Sequence, residues 1–526
     1  MEKGYLALVF HAHLPYVRHP EHEESLEEKW FYEAVTETYI PLLLVLESLL
    51  EHGVDFRLTF SLTPTLGSML LDPFLQSRYL NRLERSIELA EREIDRTRSK
   101  PEFNALARMY HQGFLKIRQA FVNRYNQNLV QAFKELQDAG SIEIIASAAT
   151  HGYLPLLSVN QKAVQAQISV GIEFYRHVFG RTPKGFWLPE CAYYSGVDEF
   201  LRKYGVRYTI LETHGITRAS PRPQYGVYAP LYCPSGVAAF GRDPESSKQV
   251  WSSNEGYPGD FDYREFYRDI GYDLDFEYIK PYIHRDGIRI DTGIKYYRIT
   301  GTTNHKEVYV PEWAERKAEI HAGNFMFNRQ KQIEHLASLM NRKPIVVAPY
   351  DAELLGHWWF EGPNWLNYLV RKIAIEQETI RLITLSEYLE GYPVNQASTP
   401  STSSWGYKGF NEVWLNGRND WIYRHLHSGA DLMERLAKSN PKAKGLKLRA
   451  LNQAARELLL AQASDWAFMI HSGAMAEYAT RRTRAHLTHL YKLGSSIESG
   501  RIDEAGLSEI EAKDNIFPHI DYRSFS

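Results

Sequence analysis

The sequence predicts an α/β fold, a barrel of parallel strands with a helical insertion and a C-terminal all-helical domain. Three observations predict it. Eight apolar runs have strand length: Tyr5–Phe10, Phe56–Phe60, Ile142–Ala146, Lys184–Leu188, Tyr208–Leu211, Val237–Phe240, Ile345–Ala348 and Leu382–Leu385. Most are rich in β-branched or aromatic residues, which suit a pleated surface. Longer helical patterns, such as Trp30–His52 and Val159–Phe179, separate many of them. Strands alternating with helices make a parallel sheet with covered faces, and seven or eight such units suggest closure into a barrel. Third, ionisable residues gather where four of the runs end: His11 and His13, His151, Glu190, and Asp351. That rim is where barrels of parallel strands hold their active sites.

The remaining elements follow in chain order. Between Asp72 and Gly140 the pattern turns to charged helix, with a second helix expected over roughly Ala105–Asp138 after Pro101. Its charge run reads as a solvated face. From Tyr225 to Tyr297 the chain is rich in Gly, Pro, Asp and Tyr, and Trp251, Tyr257, Arg264, Tyr267, Arg268 and Tyr272 favour a functional loop system. Loops of that length in a compact domain are seldom idle. Gln396–Ser404 has the Ser/Thr/Pro composition of a linker. Amphipathic helices such as Lys447–Ala463 dominate beyond Gly417. These readings place the barrel at 1–395, interrupted by a helical insertion at about 73–140, then a linker and tryptophan-bearing segment at 396–416, then the helical domain at 417–526.

Bulk properties narrow the classes. The chain has 526 residues, 44% of them apolar, and a net charge of −3 from 61 basic and 64 acidic side chains. That balance gives no reason to expect a nucleic-acid or membrane-surface partner. Two cysteines, Cys191 and Cys233, exclude a disulfide framework and disfavour a thiolate zinc site. No apolar stretch approaches the ~20 residues of a membrane span, and no secretory leader is apparent, so a cytoplasmic location is expected. Aromatics are abundant at 13%. Flat rings with polar edges suit sugar faces, although a tyrosine-rich core explains the number as well.

Glu190 stands in Trp187-Leu188-Pro189-Glu190-Cys191-Ala192-Tyr193, rigidly placed just past a strand and a proline. A nucleophile needs such a fixed line of attack; a structural carboxylate paired with an arginine is the alternative. Asp351 opens the densest cluster, Tyr350-Asp351-Ala352-Glu353-Leu354-Leu355-Gly356-His357-Trp358-Trp359-Phe360-Glu361-Gly362-Pro363. Rings around a carboxyl disfavour its charged form, which suits a general acid. Glu353 and Glu361 are rivals; Asp351 comes first after the strand. His11 and His13 share a face of their strand and admit three readings: a metal pair, two donors for sugar hydroxyls, or a buried hydrogen-bonded histidine. The lack of other tightly spaced ligands weighs against the metal. Trp405 and Trp414, flanking a glycine-rich stretch, are expected to be stacking platforms, and Asp465 a sugar contact or a local cap.

At these residues the chain resembles glycoside hydrolase family 57, and within it the 1,4-α-glucan branching enzymes. The segments carrying the resemblance are His11 to Tyr16, Thr150 to Pro155, Trp187 to Tyr193, Tyr350 to Pro363 and Trp405 to Asp420. The resemblance implies an incomplete (β/α)7 barrel with Glu190 as nucleophile and Asp351 as general acid/base. It implies glucan binding by Trp30, Trp405, Trp414 and Asp465, joined by Arg264 or Arg268, with His11, His13 and His151 at the same site. An α-glucan polysaccharide is the implied partner of a monomer or small homo-oligomer, and no metal or cofactor is called for. The implied reaction cleaves an α-1,4 link through a covalent glucosyl-enzyme and transfers the chain to a 6-hydroxyl. A tyrosine-bearing loop that excludes water is implied around Tyr232–Asp243. An α-amylase or 4-α-glucanotransferase of the same family, a metal-dependent barrel hydrolase and a non-catalytic glucan-binding protein are the alternatives.

Overall fold

A computed structural model describes residues 2–252 and 255–526. Its strands are β1 (Gly4–Ala12), β2 (Leu58–Leu62), β3 (Ile142–Ser147), β4 (Gly185–Trp187), β5 (Tyr208–Leu211), β6 (Leu231–Tyr232), β7 (Ala238–Gly241), β8 (Ile345–Asp351), β9 (Ile380–Leu382) and β10 (Gln396–Ala397). They form one sheet in the order β10-β6-β7-β5-β4-β3-β2-β1-β8, with β9 beside the start of β1. From β7 through β1 to β8 every neighbour is parallel, which makes the seven strands of an incomplete barrel. At the open seam, the Asp243 backbone N–H donates to the Val347 carbonyl at 2.9 Å.

Side chains alternate along a strand, so one parity faces the barrel interior. Ala7 and Val9 of β1 and Ile345 and Val347 of β8 share a fully buried cluster with Ile145, Trp187, Tyr208 and Phe240. Continuing the same parity upward gives His11 on β1 and Asp351 on β8, and these two are direct register partners. The apolar alternation that fills the barrel thus delivers ionisable groups to its mouth.

Helices cover the sheet much as the sequence suggests, with informative differences. The expected helix over Trp30–His52 runs from Glu28 to Glu51 through a π-helical turn at Val35–Tyr39. The insertion holds helices Pro73–Arg96, Pro101–Gln119 and Leu129–Asp138. The single helix expected over 105–138 is broken, because Asn126 and Gln127 turn left-handed and Asn128 caps the next helix through Gln131 N–H at 3.0 Å. The expected strand Leu382–Leu385 ends at Leu382: Thr384 and Glu387 form a capping box that starts a helix at Leu385. Local capping there overrides an apolar run.

The 225–297 region is built rather than loose. Its Tyr232–Asp243 stretch, the expected place of a tyrosine-bearing loop, holds the β6–β7 hairpin of the sheet, with Phe240 fully buried against Tyr208 and Tyr388. Further on, buried Asp269 accepts backbone N–H groups of Gly271, Thr292 and Gly293 at 2.8–2.9 Å, replacing the ladder that an irregular chain lacks.

The Ser/Thr/Pro stretch after 395 is zipped along the barrel edge. Gln396–Ala397 pairs with β6, Thr399 with Ser220, and Ser403 with Tyr193. Beyond it lie helices Trp421–Ser439, Gly445–Ala461, Ser464–Ser472, Ala476–Ser499 and Glu504–Lys513. Among the described residues, no helix is long and apolar enough to cross a membrane.

Candidate active site

Glu190 follows β4 through Pro189 in a left-handed conformation (φ 62°, ψ 25°), and Cys191 is also left-handed at φ 49°. Each such non-glycine residue costs about 1–3 kcal/mol and persists only where its surroundings hold it. Here the Trp405 backbone N–H binds the Glu190 carbonyl at 3.0 Å, and Cys191 N–H binds the Leu188 carbonyl at 2.9 Å. The carboxylate is gripped from two sides: Ser464 Oγ donates to Oε1 at 2.9 Å and Trp405 Nε1 to Oε2 at 2.7 Å. Burial pushes its pKa up to about 7, and the charge on Asp465 adds to this; the Trp405 and Ser464 hydrogen bonds and the charge on His13 oppose it.

Asp351 ends β8 with no hydrogen-bond partner for its carboxyl among the described residues. Burial, then the charges of Glu353 and Glu190, hold its pKa well above the carboxylate range against the pull of Arg242. The two rivals are occupied. Glu353 Oε1 accepts the His13 backbone N–H at 3.1 Å and the Tyr39 hydroxyl. Glu361 Oε1 accepts Tyr309 OH at 2.7 Å and Arg264 N–H at 3.1 Å. Burial raises both carboxyls, but their holds differ: Glu190 accepts two hydrogen bonds that favour its charged form, whereas Asp351 faces the charges of Glu353 and Glu190, which favour its protonated form.

Three histidines stack beside Glu190. His13 and His151 rings lie 3.9 Å apart, His11 and His151 5.0 Å, and His11 lies 4.5 Å from the Trp187 ring. His11 and His151 are held well below the usual histidine range by burial and by the charge of His13. His13 is raised: burial opposes its charge, and Asp465, bonded to Nε2 at 3.1 and 3.2 Å, together with the charges of Glu353 and Glu190 favours it. Ligand atoms of His13, His151 and Asp465 lie within 4.8 Å of one another, so a donor set for a cation exists there. It is not the His11–His13 pair of the metal reading, because His11 turns its nitrogens to Ser61 and His151.

Several expected contacts need correction. Trp414 is no open platform: it is 1% exposed, with Tyr153 stacked on it at 4.4 Å. Arg264 is buried, paired with Glu37 at 3.3 Å and lying over the Phe360 ring at 3.9 Å. Arg268 is committed to Asp273 at 2.9 Å. Each arginine spends part of its guanidinium on an ion pair, Arg264 through Nη2 and Arg268 through Nε and Nη2. Asp465 anchors His13 rather than capping its own helix. Trp30 is half-buried and lines a cavity of about 200 Å³ with Phe266 and His357.

Two site residues were missed by sequence reasoning. Arg242 pairs with Glu212 at 3.0 Å, lies 5.8 Å from the Trp405 ring and pulls on Asp351. Ser464 gave no signal beyond its place before Asp465-Trp466. It reaches the barrel because Ser464 N–H binds the His151 carbonyl at 3.1 Å and Ala463 bridges Gly152.

Comparison with known proteins identifies the family. The family model described as glycosyl hydrolase family 57 matches residues 7–330, and the model described as 1,4-alpha-glucan branching enzyme, C-terminal, matches 425–525. A 1,4-alpha-glucan branching enzyme of Thermococcus kodakarensis is 34% identical over 98% of this chain and 77% of its own length. Among solved structures, the alpha-amylase AmyC of Thermotoga maritima superposes with a TM-score of 0.93 at 44% identity, covering 100% of this chain and 99% of that one. A branching enzyme of the same family from Pyrococcus horikoshii gives 0.90 at 34% identity, covering 99% and 97%. A model matching well over half the sequence and relatives alike from end to end leave one conclusion: the chain belongs to glycosyl hydrolase family 57.

Proposed function

We propose that this protein is a retaining 1,4-α-glucan branching enzyme, with Glu190 as nucleophile and Asp351 as general acid/base. The observation that carries the reading is the pair of carboxyls at the barrel mouth, Glu190 gripped by Trp405 and Ser464 after β4 and Asp351 without a hydrogen-bond partner among the described residues at the end of β8. The end-to-end likeness to branching enzymes supports the substrate.

In the first step Glu190 attacks the anomeric carbon of an α-1,4 link while Asp351 gives its proton to the departing O4. The C–O bond to the leaving chain breaks and a covalent glucosyl ester forms. In the second, Asp351, now ionised, takes the proton of an acceptor 6-hydroxyl as that oxygen displaces Glu190, giving an α-1,6 link with configuration retained. Hydrolysis is the same sequence with water as acceptor. With Trp414 buried, exposed aromatics near the site, Trp358 and Tyr407, are better suited to stack on glucose rings.

The 44% identity to a structure described as an alpha-amylase favours a second reading, hydrolysis of the same glucan. Incubation with amylose separates them. New α-1,6 anomeric signals in the proton NMR spectrum are expected; release of short maltooligosaccharides with no new branch points would replace branching by hydrolysis.

A further inference from the structure

An unbroken chain of side-chain hydrogen bonds crosses the barrel mouth. Ser61 Oγ lies 3.2 Å from His11 Nδ1, His11 Nε2 lies 3.0 Å from His151 Nε2, His151 Nδ1 lies 2.9 Å from Ser464 Oγ, and Ser464 Oγ lies 2.9 Å from Glu190 Oε1. It joins β2, β1, the turn after β3, the helix at Ser464 and the turn after β4. All four relay residues are at most 2% exposed. Bulk water therefore cannot supply missing partners, and each hydrogen must sit on one side of each contact.

Counting protons fixes where they sit. An ionised carboxylate only accepts, so the single Ser464 hydroxyl proton points to Glu190. Ser464 must then accept from His151, which makes His151 the Nδ1–H tautomer with a bare Nε2. His11 must donate to that nitrogen, so His11 is the Nε2–H tautomer, and its bare Nδ1 accepts from Ser61. Both rings are neutral, as their burial requires. If Glu190 gains a proton and turns it toward Ser464, every link reverses: Ser464 donates to His151, His151 Nε2 to His11, and His11 Nδ1 to Ser61. The proton taken up stays on Glu190 and each relay residue keeps one of its own: the two hydroxyls rotate, and each imidazole carries its proton on the other ring nitrogen.

We propose that Ser61, His11, His151 and Ser464 form a directional relay whose histidine tautomers are set by the protonation of Glu190, and that His11, His151 and Ser464 are positioning residues for that carboxylate. With Glu190 ionised, all four donors point the same way and polarise one another, so the chain holds the charged form and aims Oε1. The other ionisable groups facing Glu190 include His13 on the extension of β1, Tyr153 after β3, the adjacent Cys191, Asp465 on the Ser464 helix and Asp351 on β8; none is a link in the chain.

The kinetic consequence rests on Glu190 being the nucleophile; the tautomers do not. The test is therefore spectroscopic first. In 15N-histidine NMR of the full chain, His11 is expected as Nε2–H and His151 as Nδ1–H above the Glu190 titration. Both are expected to change tautomer together as pH falls through it. The same protonated nitrogen on both rings, or inversion of one without the other, would overturn the relay. In Ser464→Ala the linked inversion should vanish. The acidic limb of kcat/KM should move to higher pH, and kcat should fall roughly tenfold with KM within about twofold. An unmoved limb in a variant whose circular dichroism matches the parent would remove Ser464 from the positioning role. Should Ser464→Ala fold poorly, Ser61→Ala tests the far end: paired inversion with the usual tautomer preference intact would exclude Ser61 from the relay. Turnover by Glu190→Gln alongside the expected tautomers would instead discard the nucleophile assignment and leave the relay standing.

Discussion

Trp405 holds Glu190 twice, its indole N–H on Oε2 at 2.7 Å and its backbone N–H on the Glu190 carbonyl at 3.0 Å. The first contact favours the charged carboxylate; the second fixes the left-handed turn that presents it. Trp405→Phe removes only the first. Hydrogen bonds to charged groups contribute about 1.5–3 kcal/mol, so kcat on amylose should fall roughly 10- to 100-fold. The acidic limb of the pH–rate profile should move up from about 7, because the opposing hydrogen bond is gone. A profile unchanged in position would show that the indole packs beside Glu190 without tuning it.

The division of labour between the carboxyls has its own test. Asp351→Asn cannot protonate a glycosidic oxygen, and its rate on amylose should drop about 10²- to 10⁴-fold. With α-glucosyl fluoride, whose leaving group needs no proton, it should form the glycosyl-enzyme at a rate near the parent's. Glu190→Gln should turn over neither substrate. Equal losses on both substrates for Asp351→Asn would count against its role as acid.

Stability should change with pH in a defined direction. Glu190 ionises near 7 in the fold against an ordinary value of 4.5, so the native state binds the extra proton between those limits. Stability then falls as pH rises through that window, by roughly 3 kcal/mol at most for this one group. Glu190→Gln escapes the penalty. Its melting temperature should exceed the parent's at pH 8 and match it near pH 4. A constant difference across that range would mean that the pKa shift is absent.

These sites were unequally legible from the sequence. Glu190, Asp351, His11 and His151 could be found because strand alternation and strand ends are local features, and polar groups there interrupt an apolar pattern. Trp414 could not be assigned correctly: whether a tryptophan is a platform or core depends on what covers it, and Tyr153 does so from 261 positions away. The same holds for Arg264, whose partner Glu37 lies 227 positions upstream. Ser464 shows the limit most clearly. A serine at a helix start reads as a cap, yet the Ser464 N–H bond to the His151 carbonyl aims its hydroxyl at Glu190 instead. Elements and their ends are written in neighbouring residues; the partners that tune a carboxyl are contributed by segments that only the fold brings together.

The donor set of His13, His151 and Asp465 bears on metal dependence. The two-step displacement needs no Lewis acid, and the His13 Nε2 that a cation would require is already bonded to Asp465. Activity should therefore survive exhaustive dialysis against EDTA, with elemental analysis confirming the loss of bound metal. Activity lost to the chelator and restored by zinc would move the chemistry to the histidines.

Asp465 provides the last test, because its partner is titratable. Burial pushes the His13 value down, and Asp465, with help from the charges of Glu353 and Glu190, raises it. A histidine raised in this way contributes stability in full below its unfolded value of about 6.5, and that contribution is lost as pH climbs through the folded value. Asp465→Asn keeps the shape but removes the charge, leaving a buried imidazole that prefers to be neutral. The melting temperature of this variant should lie furthest below the parent's at pH 5.5 and converge toward it above the folded His13 value. The gap should close on raising the pH, since there the parent's histidine has given up its proton too. A gap that widens with pH would mean that Asp465 stabilises the protein through some contact other than the His13 imidazolium.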